Sequence, residues 1–275
     1  MKNMQEILLK SKKTLFSSIF GSHISFFKGD GYDFSEIKKY SQGDDTRRID
    51  WITTARMQEP YVKVLHEERS KNIVIVTLLG GTLFFGTLRL KHELLAEVSA
   101  LLGYSVIKGG DIFSAFNISS KDIKYYEPSK LLYGVENLVK DILEKKVLGE
   151  KNNFDISSLY KRIVRRSLVI FVGDFLYDID LSFFGYHHDT VAVVIRDRYE
   201  TKPETFKEAV LTDNESLKEK SCFVTNSSLK IYKKRFKSHY ENLYQKFHKT
   251  DIDYLEIFTD DEPFEKLNLF FRKRV

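Results

Sequence analysis

Cysteine occurs once in the 275 residues, at Cys222, so an internal disulfide is excluded. Residues 1–22 hold no continuous apolar core of the ~7 residues a secretory signal needs; the longest apolar run there is three residues. Both absences point to a reducing cytoplasm. Only 4 prolines and 14 glycines occur, which leaves no long linker or low-complexity tract, and no internal repeat is visible. No apolar run reaches the ~20 residues that span a bilayer. Phosphate loops, a G-x-G-x-x-G after a strand, zinc-ligand spacing and a nucleophile elbow are all missing. Neither sign of charge dominates: 44 basic against 39 acidic residues leave a net +5, which permits an anionic partner without demanding one.

What is present is a core. Hydrophobic residues make up 42% and aromatics 14%, with 22 Phe and 15 Tyr, enough for one large α/β domain with additions or two small domains. The organising stretch is 72–86, NIVIVTLLGGTLFFG, with no charge from Ile73 to Leu88. A β-branched run apolar on both faces reads as a central strand of a parallel sheet. Two glycines follow, then a helical pattern over 88–107 through Leu90, Leu94, Leu95, Val98, Leu101, Leu102 and Val106. Strand, glycine turn and helix open a doubly wound unit, whose ligands sit beyond the carboxyl ends of the strands. The turn 78–83 is the default place for a site, yet it offers Thr82 as its one hydroxyl and no carboxylate.

Along the chain, residues 1–22 suggest a helix with Ile7, Leu8, Leu15 and Ile19 apolar and Lys2, Lys10, Lys12 and Lys13 basic. Such a helix either packs on the domain or makes peripheral membrane contact; the short stripe favours packing. Residues 33–40 suit a short turn or helix, and Gly43-Asp44-Asp45 a tight turn. Strands are expected at 112–118, 123–126, 167–172, 190–195 and 252–257, a small hairpin from 210–212 and 221–224, and helices at 131–146, 156–164, 229–248 and 263–271.

The densest polar stretch carries the pattern G-x-G-x-x-F-x-E-x-x-x-Y-x-x-G-D-D-x-R-x-I-D-W-x-x-x-A-R. Its positions here are Gly29, Gly31, Phe34, Glu36, Tyr40, Gly43, Asp44, Asp45, Arg47, Ile49, Asp50, Trp51, Ala55 and Arg56. The pattern resembles the signature of the domain of unknown function 58 family, bacterial proteins with a von Willebrand factor A-like domain, and the likeness runs from about Ser22 to the end. It implies an α/β fold: a von Willebrand factor A-like, doubly wound, mostly parallel sheet flanked by helices, with an N-terminal β-rich or irregular extension. Residues 1–70 would be the N-terminal helix and signature segment packed on the main domain, and 71–275 that domain. From charge alone, Asp44, Asp45 and Asp50 interleave with Arg47, Arg48 and Arg56. Bidentate pairing would tie the segment down for a structural or docking role and leave the carboxylates unsuited to a metal.

Domains resembling this one commonly hold Mg²⁺ through D-x-S-x-S after the first strand and an Asp after a later one. Here the motif falls on Leu78-Leu79-Gly80-Gly81-Thr82: the Asp is Leu78, the first Ser is Gly80, and Thr82 alone keeps an oxygen. Asp174 matches the later Asp. One carboxylate and one hydroxyl make a poor Mg²⁺ shell, so the adhesion-type metal site reads as degenerate and no cofactor is expected; Thr82 and Asp174 are the residual candidates. Without those partners, Asp174 would equally cap the following helix or loop. His187-His188-Asp189 reads as a strand-start turn, since neighbours on a strand face opposite ways. Cys222 reads as a core residue.

Three functions are compatible with the sequence. The first, implied by the resemblance, is a non-catalytic interaction module acting with a MoxR-type AAA+ ATPase and other protein cargo, docking through residues 29–56 or the loops near Gly80 and Asp174. The second is a nucleic-acid-binding module using Lys230, Lys233, Lys234, Arg235 and Lys237 with Tyr232, Phe236 and Tyr240; the plainer reading is a solvated helix face, because a net +5 is weak for that class. The third is a hydrolase or phosphotransferase, from which Leu78 removes the obvious carboxylate.

Overall fold

The computed structural model describes residues 4–17, 34–44, 46–65 and 70–274. The chain divides into two compact units, 28–70 and the remainder, 1–27 with 71–275.

In the smaller unit, β1 (Phe34–Lys39) and β2 (Tyr61–Leu65) form an antiparallel ribbon with a bulge between Phe34 and Glu36. Phe34–Lys39 is therefore a strand, where the local sequence over 33–40 suggested a turn or helix. Its partner lies across a connection of more than twenty residues, which short-range pattern does not encode. The Tyr40 N–H continues the pairing to the Pro60 carbonyl at 2.8 Å. The chain returns through a short 3₁₀ turn, Thr46–Arg48, and a helix, Trp51–Met57. Asp50 caps that helix, its carboxylate accepting from the Ile52 N–H at 3.1 Å and the Thr53 N–H at 3.3 Å.

The larger unit is α/β, with a mostly parallel sheet flanked by helices. Its first helix is α1 (Met4–Ser17); the capped helix of the smaller unit is α2. The strands are β3 (Asn72–Leu78), β4 (Ile112–Ile118), β5 (Ile123–Ser129), β6 (Leu168–Gly173), β7 (Asp189–Arg196) and β10 (Ile252–Phe258). They lie in the order β10-β7-β6-β3-β4-β5, all parallel except β5, which runs antiparallel to β4. Pro128 lies on β5, at the sheet edge and beside a register shift, where a missing N–H is tolerated. A separate hairpin, β8 (Phe206–Thr212) and β9 (Glu219–Val224), matches the expected one.

Helix α3 (Lys91–Lys108) crosses from β3 to β4 and α4 (Leu132–Glu144) follows β5. The short helices α5 (Ser157–Tyr160), α6 (Ser182–His187) and α7 (Arg198–Thr201) sit in connections; α8 (Asn226–Lys249) and α9 (Pro263–Lys273) flank β10. Alternation along the strands builds two cores. Ile73, Ile75, Ile170 and Val193 face a layer that includes α1, α3 and α4, while Val74, Val76, Phe171 and Val194 face α8 and the short helices. Helix α3 is buried from Lys91 to Val106, so its polar residues need partners inside. Helix α1 lays Ile7, Leu8 and Leu15 into the first core, and its Lys10 and Lys12 reach Glu97 and Glu136 at 2.7 and 2.6 Å. Among the described residues no helix is long and apolar enough to cross a membrane.

The expected helix over 156–164 is one turn, ending at Tyr160. Ile163 turns inward to pack in the core while Val164 points out, a pattern no continuing helix serves.

Candidate functional site

From β3 the chain builds outward in opposite directions, to β4 and β5 on one side and to β6, β7 and β10 on the other. The crevice beyond the carboxyl ends of β3 and β6 is therefore the topological switch point, where open α/β sheets place their ligands. Leu78, Gly80 and Thr82 arrive there from β3 and Asp174 from β6.

Asp174 is 1% exposed, and its carboxylate receives the Lys91 ammonium at 3.0 Å. The same ammonium, itself fully buried, donates to Glu200 at 2.6 Å. Lys91 is the first residue of α3, where the helix dipole repels a cation. The two carboxylates overturn both that repulsion and the cost of burial, so the ammonium is held above its ordinary pKa. Burial pushes the Glu200 carboxyl up, against the opposing pull of Lys91. Glu200 is aimed by a capping box: its second oxygen accepts the Asp197 N–H at 3.0 Å, and Asp197 accepts the Tyr199 N–H at 2.8 Å. Asp197 also receives the Thr87 N–H at 2.9 Å and the Thr259 hydroxyl, which binds three loops at this end of the sheet. Burial alone would raise the Asp197 carboxyl; these donors outweigh it and hold it low. Asp174 caps no helix. Its carbonyl accepts from the Tyr240 hydroxyl at 2.8 Å, and the neighbouring Phe175 carbonyl is bonded by His239 Nε2 at 2.7 Å.

Thr82 is engaged differently. Its hydroxyl accepts from Asn152 Nδ2 at 2.8 Å. A Cβ at Gly80 would lie 1.6 Å from Asn152 Oδ1, so the Asn152 amide fills the space that a serine side chain would need. Leu78 packs beside Gly173, where an added Cβ would sit 3.1 Å from the Leu78 Cβ. A hard divalent cation needs several free oxygens converging on one point. Here the carboxylate is matched to an ammonium, the hydroxyl to a carboxamide, and the remaining motif positions carry no side-chain oxygen, so these residues do not fit Mg²⁺. Among the described residues no three His, Cys, Asp or Glu side chains converge to hold a metal.

The signature residues lie in the smaller unit. Phe34 and Glu36 are on β1. Gly43 takes φ +112°, the left-handed turn that only glycine adopts freely. Asp44 pairs with Lys38 at 2.8 Å, where an arginine was expected, and accepts the Ser41 N–H at 2.9 Å. Arg47 is in the 3₁₀ turn, Asp50 caps α2, and Trp51 and Arg56 are exposed on α2. Gly29, Gly31 and Asp45 lie outside the described residues.

The remaining candidates separate. His187 bonds the Phe183 carbonyl at 2.9 Å and stacks on that ring, while His188 is buried, so the pair does not converge. They end α6 and precede β7. Cys222 is half-buried on β9, whose exposed pattern places it outside the core. On α8, Phe236 and Tyr240 turn inward, with the Arg196 guanidinium 4.1 Å above the Tyr240 ring. Lys91, Asn152 and Glu200 were missed from sequence; the D-x-x-E capping pattern at Asp197–Glu200 was the one local signal available.

Fold and crevice define the class: an α/β protein whose switch point is closed by its own charged side chains. Residues 36–245 match the family described as Protein of unknown function DUF58, and the chain belongs to that family. It is 23% identical over 222 residues to uncharacterized proteins of Mycobacterium bovis and of two strains of Mycobacterium tuberculosis, an overlap covering 78% of this chain and 70% of each relative.

Proposed function

We propose that the chain is a non-catalytic protein-interaction module on a von Willebrand factor A-like scaffold, and that it binds its partner without a divalent cation. The observation that carries this reading is the Lys91 ammonium seated against Asp174 and Glu200. A cation tethered to the backbone serves the carboxylates that a metal would otherwise serve, at no cost in binding entropy. Catalysis by the same groups is disfavoured, because acid, base and ammonium neutralise one another where substrate does not reach. The resemblance to DUF58 proteins supplies the partner class, an AAA+ ATPase of the MoxR type acting on further protein cargo. The single cysteine supports a reducing, cytoplasmic setting.

The test is co-purification of tagged chain from its own cells in parallel Mg²⁺ and EDTA arms, with nucleotide supplied to stabilise the ATPase. Equal retention of an AAA+ ATPase in both arms is expected. Retention in the Mg²⁺ arm alone overturns metal independence; no ATPase in either arm overturns the partner class.

A further inference from the structure

The opposite, amino-terminal end of the sheet carries a second feature. A groove of ≈ 330 Å³ runs between the β4–β5 face and the loop that leads from α5 into β6. Its apolar surface is Val74 and Ile112 near the strand starts, Phe116, and Tyr125 stacked on Phe116 at 4.7 Å between ring centroids; Asn72, Ser114 and Ser167 line it beside them. The rim is formed by Arg162 and Arg165, with Val164 between them. Val164 is 82% exposed, more than any other large hydrophobic residue described. The local sequence Lys161-Arg162-Ile163-Val164-Arg165-Arg166 contains four cations and no acid. Among the described residues no ion pair involves any of the four, whereas Lys10 and Lys12 of α1 and Arg196 and Arg198 at the end of β7 are paired. An unpaired arginine fork is suited to bidentate recognition of a carboxylate. An exposed aliphatic side chain between two such forks, above an aromatic wall, suits an apolar anchor flanked by acids.

We infer that this groove docks an acidic segment of a partner protein, with one aromatic or aliphatic side chain seated against Phe116 and Tyr125 and its flanking carboxylates on Arg162 and Arg165. The inference rests on the interaction-module reading for the nature of the occupant. It adds a second surface, at the end of the sheet opposite the Lys91 cluster, as a module joining two proteins requires. The apolar wall and the modest net charge of +5 favour a protein segment over nucleic acid.

A displayed library of random dodecapeptides is selected on the full chain and counter-selected on the double variant Arg162→Glu/Arg165→Glu. Labelled winners are then measured by fluorescence polarisation beside their Glu→Gln versions, beside anchor→Ala versions, and beside a labelled oligothymidine. Winners are expected to combine acids with one large apolar residue. The double variant, the Glu→Gln change and the anchor→Ala change should each weaken binding by about tenfold or more. Lys234→Glu/Arg235→Glu on α8, outside the groove, should leave binding within about twofold. Winners without acids, equal losses from the two double variants, or an oligothymidine bound more tightly than any peptide and lost in Arg162→Glu/Arg165→Glu would each overturn the inference. Circular dichroism confirms that the surface variants fold. Peptide binding with no ATPase co-purifying would sink the ATPase reading and leave the groove standing; the reverse pair of results would sink the groove alone.

Discussion

Replacing Lys91 by Met removes the ammonium while keeping the length and most of the volume of the side chain. Lys91 is fully buried and Asp174 and Glu200 are 1% and 7% exposed, so the surface discount on ion pairs does not apply here. Breaking a buried pair by removing one partner costs about 3–5 kcal/mol, because the other charge is left stranded. Two carboxylates are stranded in this case, and one of them has to take up a proton. For a domain of this size about 1 kcal/mol moves the melting temperature by ~2–4 °C, so the variant should melt ~6–20 °C lower at neutral pH. The loss should shrink as the pH is lowered. Glu200 already sits above its ordinary 4.5, and without Lys91 it rises further. A carboxyl with a raised folded-state pKa contributes stability below its unfolded pKa and loses it as pH rises through the folded value, so the variant recovers toward acid. Adding Glu200→Gln to Lys91→Met should restore roughly half the loss at neutral pH, since one stranded charge disappears. Melts followed by near-ultraviolet circular dichroism at several pH values test all three statements. A loss below about 1 kcal/mol, or one that Glu200→Gln does not relieve, would show that Lys91 does not neutralise the two carboxylates.

Gly80→Ala and Gly86→Ala should differ. At Gly80 the added Cβ meets the end of the Asn152 side chain, which can swing away at the expense of its bond to Thr82, about 1 kcal/mol. At Gly86 it meets the Arg89 carbonyl at 1.9 Å, so backbone has to move and the loss should exceed about 3 kcal/mol; urea titration ranks the two. His92 is buried, with Nε2 donating to the Ile142 carbonyl at 2.7 Å, and burial holds its imidazole below the ordinary 6.5. Its contribution is complete above about 6.5 and is lost as pH falls through the depressed value, with a slope of at most about 1.4 kcal/mol per pH unit. His92→Gln should flatten the stability profile over that acid range, and an unchanged slope would assign the titration elsewhere. Asp50→Ala removes the cap of α2 and should cost ~0.5–2 kcal/mol, read as faster amide exchange at Ile52 and Thr53; unaltered exchange there would refute the cap's role.

The strands that were legible are those whose burial is written locally. Ile73–Leu78, Leu168–Gly173 and Asp189–Arg196 are apolar on both faces because both faces are covered, and they read as central strands. The strand Phe34–Lys39 was not legible, since F-S-E-I-K-K is mostly polar and only its pairing with Tyr61–Leu65 makes it extended. That the Leu78–Thr82 turn carries no carboxylate could be read; the partners that Asp174 and Thr82 find could not. Lys91 meets Asp174 and Glu200 across 83 and 109 residues, and Asn152 fills the space at Gly80 and bonds Thr82 across 70. A lysine opening an apolar helix looks like a solvated helix start until the fold brings carboxylates to it. The arginine loop at 162–166 was hidden for a related reason: its apolar pattern continues a helix on paper, and the turn after Tyr160 is what exposes Val164 between the arginines.

Calorimetric titration of Mg²⁺ into the wild type and into Lys91→Ala decides whether a tethered ammonium serves the carboxylates of the switch-point crevice. The wild type should give no saturable heat at millimolar Mg²⁺, and the same partner retention with and without the ion. Saturable binding by the wild type, abolished by Asp174→Asn, would contradict it and return Asp174 and Thr82 to the role of metal ligands.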